Sequence, residues 1–234
     1  MATFLLIHGA WSAAWAWKKL RAPMRDRGHE LFTPTHTGLG ERAHLARPEI
    51  DLEAHIADVL AVIEFEDLHD LVVVGHSYGG MVATGVVDRV HERVRRLVYL
   101  DAFVPRDGQS VFDLLGEPTH QQAIALARQG GDGWRVPPNP MPPDTPEADK
   151  AWAMPRRRMQ PLRTLEQRLP LTGAVDRVRR SYIYCTRVAP GDPFRPFAQR
   201  AQAEGWDYRA LDASHNPQIT MPETLADVFD EIAR

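Results

Sequence analysis

Short unbroken apolar runs along this chain alternate with longer stretches in which apolar residues recur every three or four positions. The first pattern marks buried strands and the second marks helices with one face turned to a core. "TFLLI" (3–7) reads as a strand, followed by an amphipathic helix near 14–27 that stops at Gly28. "ELFTP" (30–34) is a second strand, "TGLGERAHL" a glycine-bearing loop, and 52–66 a helix. "LVVVG" (71–75) is continuous and β-branched, as a parallel strand covered on both faces should be. A helix at about 79–91 and the strand "VRRLVYL" (94–100) follow it. The alternation returns late in the chain: "SYIYCT" (181–186), a helix near 194–204, "WDYRALD" (206–212) and a last helix at 222–232. Strand–helix–strand repetition with right-handed crossovers predicts an α/β fold: a mostly parallel sheet of about six strands with helices on both faces.

Between these two series the rhythm breaks. Residues 104–178 show no convincing strand, and six prolines crowd into 137–146. "QQAIALARQ" (121–129) is helical in pattern, and Trp134, Trp152, Met154 and Met159 offer apolar anchors. A segment this long is more than a loop. The expected organisation is a core of 1–103 and 179–234 with a helical, proline-rich cap inserted at 104–178.

Composition narrows the field little. The 234 residues suit one domain, with 44% hydrophobic and 25% charged residues. A net charge of −3 gives no electrostatic case for nucleic acid or an anionic membrane. The start "MATFLLIHG" has no basic segment and too short an apolar run for a signal peptide or a membrane span. The lone Cys185, in "SYIYCT", reads as a buried thiol and fits a cytoplasmic protein without disulfides. A homodimer is compatible with this composition, which does not fix the oligomeric state.

The chemistry is concentrated in "LVVVGHSYGG" (71–80). "GHSYG" fits G-x-S-x-G in the context the motif needs, a strand before it and a helix after it. Glycines two residues either side of Ser77 permit a sharp turn that lifts the hydroxyl above the sheet edge, at the positive end of a helix. A serine needs a base. His215, in "DASHNP", lies on a loop after the last strand and so at the same edge, whereas His76 should point away and order the elbow. The base needs a carboxylate. Asp192, in "RVAPGDPFRPF", completes the order Ser, Asp, His, although an N-cap role suits it as well. Asp101, at the end of the preceding strand, and Asp212 are the alternatives. Oxyanion donors are expected at the backbone N–H of Tyr78 and of Ala10 in "HGAW" (8–11). Trp11, Trp134 and Trp152 are candidate walls for an apolar, aromatic-tolerant acyl pocket.

Other chemistries find little support. No H-x-x-x-H or C-x-x-C pair suggests zinc, and the glycines of "THTGLGERAHL" do not make a phosphate loop. No cofactor is expected. "RRR" (156–158) reads as a solvated face of the cap, or as an attractor of anionic substrates.

"FLLIHGAWSAAWAWKKL", "GHSYGGM", "YLDAFVP" and "SHNPQITMPETLADVF" resemble the α/β-hydrolases that include plant methyl esterases, hydroxynitrile lyases and bacterial pyrethroid-type carboxylesterases. The likeness spans nearly the whole chain and is weakest in the insertion; "PTHTGLGERAHL" is similar to the bacterial esterase branch. The resemblance implies Ser77 as nucleophile, His215 as base, Asp192 as acid and Ala10 and Tyr78 as oxyanion donors. It also implies what this chain should not do. The lyases resembled carry a threonine beside the oxyanion loop and a lysine after the base, where this chain has Gly9 and Asn216. The expectation is a serine carboxylesterase acting on a small-molecule ester. Its competitors are a lactonase, lyase, carbon–carbon hydrolase or cofactor-free dioxygenase on the same fold, and a slow-turnover ligand receptor.

Overall fold

A computed structural model describes residues 1–188 and 191–234. Strands β1 (Thr3–Ile7) and β2 (Glu30–Phe32) are joined through a 3-10 segment, Ala14–Leu20, and a short helix α1 (Arg21–Asp26). The helix expected at 14–27 is therefore mostly 3-10 in its first half. Gly28 closes the unit at φ +80°, a conformation only glycine takes without strain. The loop "GERAHL" folds as a second 3-10 segment, Gly40–Leu45. Then come α2 (Leu52–Phe65), β3 (Leu71–His76), α3 (Gly79–Val90) and β4 (Val94–Leu100), close to their sequence-expected bounds.

Within 104–178 lie α4 (Val111–Leu115), α5 (Glu117–Gly130), β5 (Arg135–Val136), α6 (Glu147–Ala153), β6 (Gln160–Pro161) and α7 (Arg163–Glu166). The strands β5 and β6 form a two-residue antiparallel pair that no periodicity could announce. The chain returns to the sheet with β7 (Arg179–Cys185), α8 (Arg195–Ala203), β8 (Asp207–Leu211), α9 (Pro217–Thr220) and α10 (Pro222–Ala233).

The main sheet has six strands in the order β2-β1-β3-β4-β7-β8, all parallel. Alternate residues of each strand enter opposite cores. Leu5, Ile7, Val73, Leu97 and Tyr99 meet α2 and α3 residues such as Ile56, Met81 and Val86. Phe4, Leu6, Val72, Val74 and Val98 meet Trp17, Met24 and Phe229 on the other face. All six residues of β3 are buried, which accounts for its unbroken apolar run. From β1 the chain goes to one side to build β2 and to the other to build β3. The crevice beyond the carboxyl ends of β1 and β3 is thus the switch point at which open α/β sheets bind ligands. The loop after β1 carries "HGAW" and the loop after β3 carries Ser77.

Candidate active site

Two neighbouring strands end in the same way. β3 stops at His76 and β4 at Leu100, which are register partners, and the next residues, Ser77 and Asp101, have φ +56° and +43°. Non-glycine residues seldom hold this left-handed conformation, and those that do gather at functional sites. Here the surroundings enforce it. Ser77 N–H donates to Leu100 C=O at 3.2 Å, and its own C=O accepts from Gly80 and Phe103. Asp101 N–H donates to Ile183 C=O at 2.8 Å, and the Tyr182 hydroxyl donates to Ala102 C=O at 2.9 Å. The motif glycines answer to close packing. A Cβ on Gly75 would lie 2.6 Å from Gly79 O, and one on Gly79 would lie 2.5 Å from Ile7 O.

His215 lies on the loop after β8, as expected, but the carboxylate it meets is not the expected one. His215 Nδ1–H donates to Asp101 Oδ2 at 2.7 Å, leaving Nε2 for the nucleophile side. Asp101 is buried, and its other oxygen accepts the Cys185 N–H at 3.2 Å. The expectation of Asp192 as the partner of His215 is corrected by this geometry. Asp192 Oδ2 accepts the Tyr184 hydroxyl at 2.5 Å, and Oδ1 accepts the Phe194 N–H at 2.9 Å. The Phe194 contact braces the turn ahead of α8, but the helix starts at Arg195 with Phe194 as its N-cap and no side-chain cap, so the N-cap alternative read from Asp-Pro is not met either. Burial and the Asp192 carboxylate together push the Tyr184 phenol up to about 12. Asp192 still bears on His215 indirectly, because the Phe194 ring it anchors stacks on the His215 ring at 4.9 Å. Asp212 pairs with Arg187 at 2.8 Å and is exposed. No hydrogen bond joins Ser77 Oγ to His215 among the described residues; such contacts are often long without substrate.

His76 does more than shape the elbow. Its Nε2–H donates to the His215 carbonyl at 2.7 Å, and the two rings lie 4.7 Å apart. The residue beside Ser77 therefore holds the loop that carries His215. Burial first, then the neighbouring His215, holds the His76 pKa well below its ordinary value, so the ring is neutral.

The loop after β1, the candidate oxyanion loop, lies against this assembly: a Cβ on Gly9 would stand 3.0 Å from the Ser77 Cβ. Neither Ala10 N–H nor Tyr78 N–H donates to another group among the described residues. His8 fixes the loop from within. Its Nδ1–H donates to Gly9 C=O at 2.9 Å while Nε2 accepts the His36 N–H at 3.1 Å, which defines the tautomer. Because a trans peptide sets C=O and N–H on opposite sides, holding the Gly9 carbonyl orients the Ala10 N–H. The rings of His8, His36 and His55 stack at 4.0 and 4.6 Å, and the Tyr78 hydroxyl donates to His55 Nδ1 at 2.9 Å. Burial lowers the pKa of His8 and of His55 to about 4 and that of His36 well below its ordinary value.

The inserted segment grips the same loop from outside. Trp11 (φ +60°) donates its N–H to Gln160 Oε1 at 3.0 Å and its indole N–H to Val136 C=O at 2.9 Å, and accepts Arg158 N–H at 3.0 Å. Gln160, fully buried, also donates to Thr164 Oγ1 at 2.6 Å. Sequence reasoning missed Gln160, since a lone glutamine in a proline-rich segment carries no local signal. The other two tryptophans are occupied by packing rather than gathered with Trp11. Trp152 meets Trp15 edge-on at 5.3 Å, in a cluster with Met141 and Ile219. Trp134 lies under the Arg135 guanidinium at 4.8 Å.

Fold and site together define a class. A family model described as an alpha/beta hydrolase family matches residues 4–228, and the chain belongs to that family. Among curated relatives it is 41% identical over 240 residues to the carbendazim hydrolyzing esterase of Nocardioides sp. (strain SG-4G), covering 97% of this chain and 98% of that one. It is 24% identical to a putative chloroplastic methylesterase of Arabidopsis thaliana, covering 99% of this chain and 72% of that protein. A solved extracellular alpha/beta-hydrolase from a Paenibacillus species, described as sharing structural and functional homology with tobacco salicylic acid binding protein 2, superposes with a TM-score of 0.87. Its identity is 26%, covering 99% of this chain and 98% of that one. The resemblance drawn from the motifs thus holds at the level of family and fold.

Proposed function

We propose that this protein is a serine carboxylesterase whose triad is Ser77, His215 and Asp101, acting without a cofactor on a small-molecule ester. The observation that carries the reading is the 2.7 Å bond from His215 to the buried Asp101, one strand away from the strained elbow of Ser77. The relatives' printed activities support the reaction class.

The proposed cycle follows from the positions. Ser77 Oγ attacks the ester carbonyl carbon as His215 Nε2 takes its proton. The oxyanion that forms is met by the N–H groups of Ala10 and Tyr78. The imidazolium is stabilised by Asp101 and returns the proton to the leaving alkoxide, giving an acyl-enzyme. Water, deprotonated by the same imidazole, attacks the acyl carbonyl and restores Ser77. In this reading residues 104–178 form the cap, and Gln160 ties it to the oxyanion loop through Trp11. Trp11 remains a wall of the substrate site. Trp134 and Trp152 are not assigned to it. The buried Cys185 is in keeping with a cytoplasmic setting.

The test is hydrolysis of a panel of p-nitrophenyl esters graded by chain length and aromatic bulk, with carbendazim included because a relative's name carries it. Stoichiometric labelling of Ser77 by a phosphonate, abolished in Ser77→Ala, is the expected result. Turnover retained in Ser77→Ala would overturn the mechanism. Ligand binding with negligible turnover of every ester would favour the receptor alternative.

A further inference from the structure

The arginines at 156–158 are not equivalent. Arg157 is partly buried, its guanidinium 5.5 Å from the ring centre of Trp11, the residue that follows the proposed oxyanion donor Ala10. Arg157 and Arg158 line a cleft of about 270 Å³ with Arg135, Pro138, Met159 and Ala43. Among the described residues, no acidic side chain lines its wall.

The charges here are unevenly served. Arg157 donates to the carbonyl oxygen of Asn139 and, at 2.8 Å, to its amide oxygen. Among the described residues, the Arg158 guanidinium donates only to the carbonyls of Pro155 and Arg157, both at 2.9 Å. Neither has a carboxylate within ion-pairing reach among the described residues. Arg135 pairs with Asp132, yet its Nε–H is buried with no acceptor. Burial alone draws the Arg157 pKa down to about 10. A cation withdrawn from water without a counter-charge is costly, and an anion entering the cleft would offset that cost.

We propose that this cleft binds a small organic carboxylate with an apolar body, gripped by Arg157 and Arg158. The guanidinium fork matches a carboxylate bidentately, and the flanking Pro138, Met159 and Ala43 suit a hydrocarbon or aromatic remainder. The ligand has two chemical sources: a free carboxylate, or a carboxylate borne by the ester itself. Its position gives it a route to catalysis, since Arg158 N–H holds Trp11 C=O. The site does not depend on the esterase reading.

The probe is benzoate, with benzamide as its neutral isostere, titrated calorimetrically into the intact protein at low ionic strength. Benzoate should bind at least about 10-fold more tightly than benzamide, the scale of hydrogen bonds to a charged group. Arg157→Gln should weaken benzoate by about 10-fold or more on the same grounds. Arg158→Gln, an exposed position whose replacement does not threaten folding, should weaken it as well, while Arg187→Gln should not. Equal binding of benzoate and benzamide would overturn the proposal, as would benzoate binding untouched by both cleft variants. The sources are separated by kcat/KM for monomethyl against dimethyl terephthalate. A preference for the half-ester that vanishes in Arg157→Gln assigns the carboxylate to the substrate. No preference, with benzoate binding intact, assigns it to a separate anion. Failure of the esterase reading would show instead as no turnover of either ester, with benzoate binding unaffected.

Discussion

Asp101 and Asp192 each lie in the segment that leaves the carboxyl end of a parallel strand, yet only Asp101 meets His215. Asp101 directly follows β4, the strand hydrogen-bonded to β3, so sheet register alone sets it beside Ser77. Asp192 stands seven residues beyond the end of β7, and its loop turns the carboxylate to Tyr184 and Phe194. A group on a strand end inherits the rigidity of the sheet. A group on a longer loop goes wherever that loop finds its hydrogen bonds.

The largest expected effect concerns the nucleophile shared by either arrangement. Ser77→Ala should lower kcat by about 10⁴- to 10⁶-fold. Because triad members act as a unit, adding Asp101→Asn to Ser77→Ala should cost little more. A full additional loss, measured in residual kcat, would remove Asp101 from the unit. Alone, Asp101→Asn should reduce kcat by about 10³- to 10⁴-fold through the wrong imidazole tautomer. Asp192→Asn should cost less than about 10-fold in kcat but about 1 kcal/mol of stability, from two weakened part-buried hydrogen bonds. Kinetics and urea unfolding of the two variants side by side decide the comparison, and the reverse ranking would restore Asp192 as the acid.

Acid tests the rigid side of the site in another way. His8, His36, His55 and His76 are neutral when folded because burial lowers their pKa values, to about 4 for His8 and His55. The unfolded chain takes up protons near pH 6.5 that the folded chain refuses. Stability should therefore be intact above about pH 6.5 and fall towards about pH 4, by up to about 1.4 kcal/mol per pH unit for each histidine. A urea midpoint that stayed level from pH 7 to 5, above the ordinary carboxylate range, would contradict this. His55→Gln should make the fall shallower by about one proton's worth. A modest effect is expected at the clamp. Gln160→Ala should reduce kcat by about 10-fold, the scale of one lost hydrogen bond to the Trp11 N–H, with little change in the pH profile. An unchanged kcat would detach the inserted segment from the oxyanion loop.

Much of this was written in the chain locally. Continuous apolar strands, 3.6-residue helices and the glycines around Ser77 follow from short-range pattern, because burial on both faces of a sheet and a tight elbow constrain adjacent residues directly. Ser77 and His215 were legible for the same reason: strand ends in a parallel sheet share one edge. The partner of His215 was not. Asp101 and Asp192 both satisfy the sequence condition, and the choice between them depends on strand adjacency and on the hydroxyl of Tyr184, neither of which leaves a local mark. Gln160, the histidine stack and the arginine cleft likewise unite residues far apart in the chain. Sequence determined the fold and put Ser77 and His215 forward as the proposed nucleophile and base, through periodicity and strand ends. Only the tertiary structure decided which carboxylate they meet and what holds the oxyanion loop, because those depend on which side chains the packed sheet and the inserted segment bring within about 3 Å of each other.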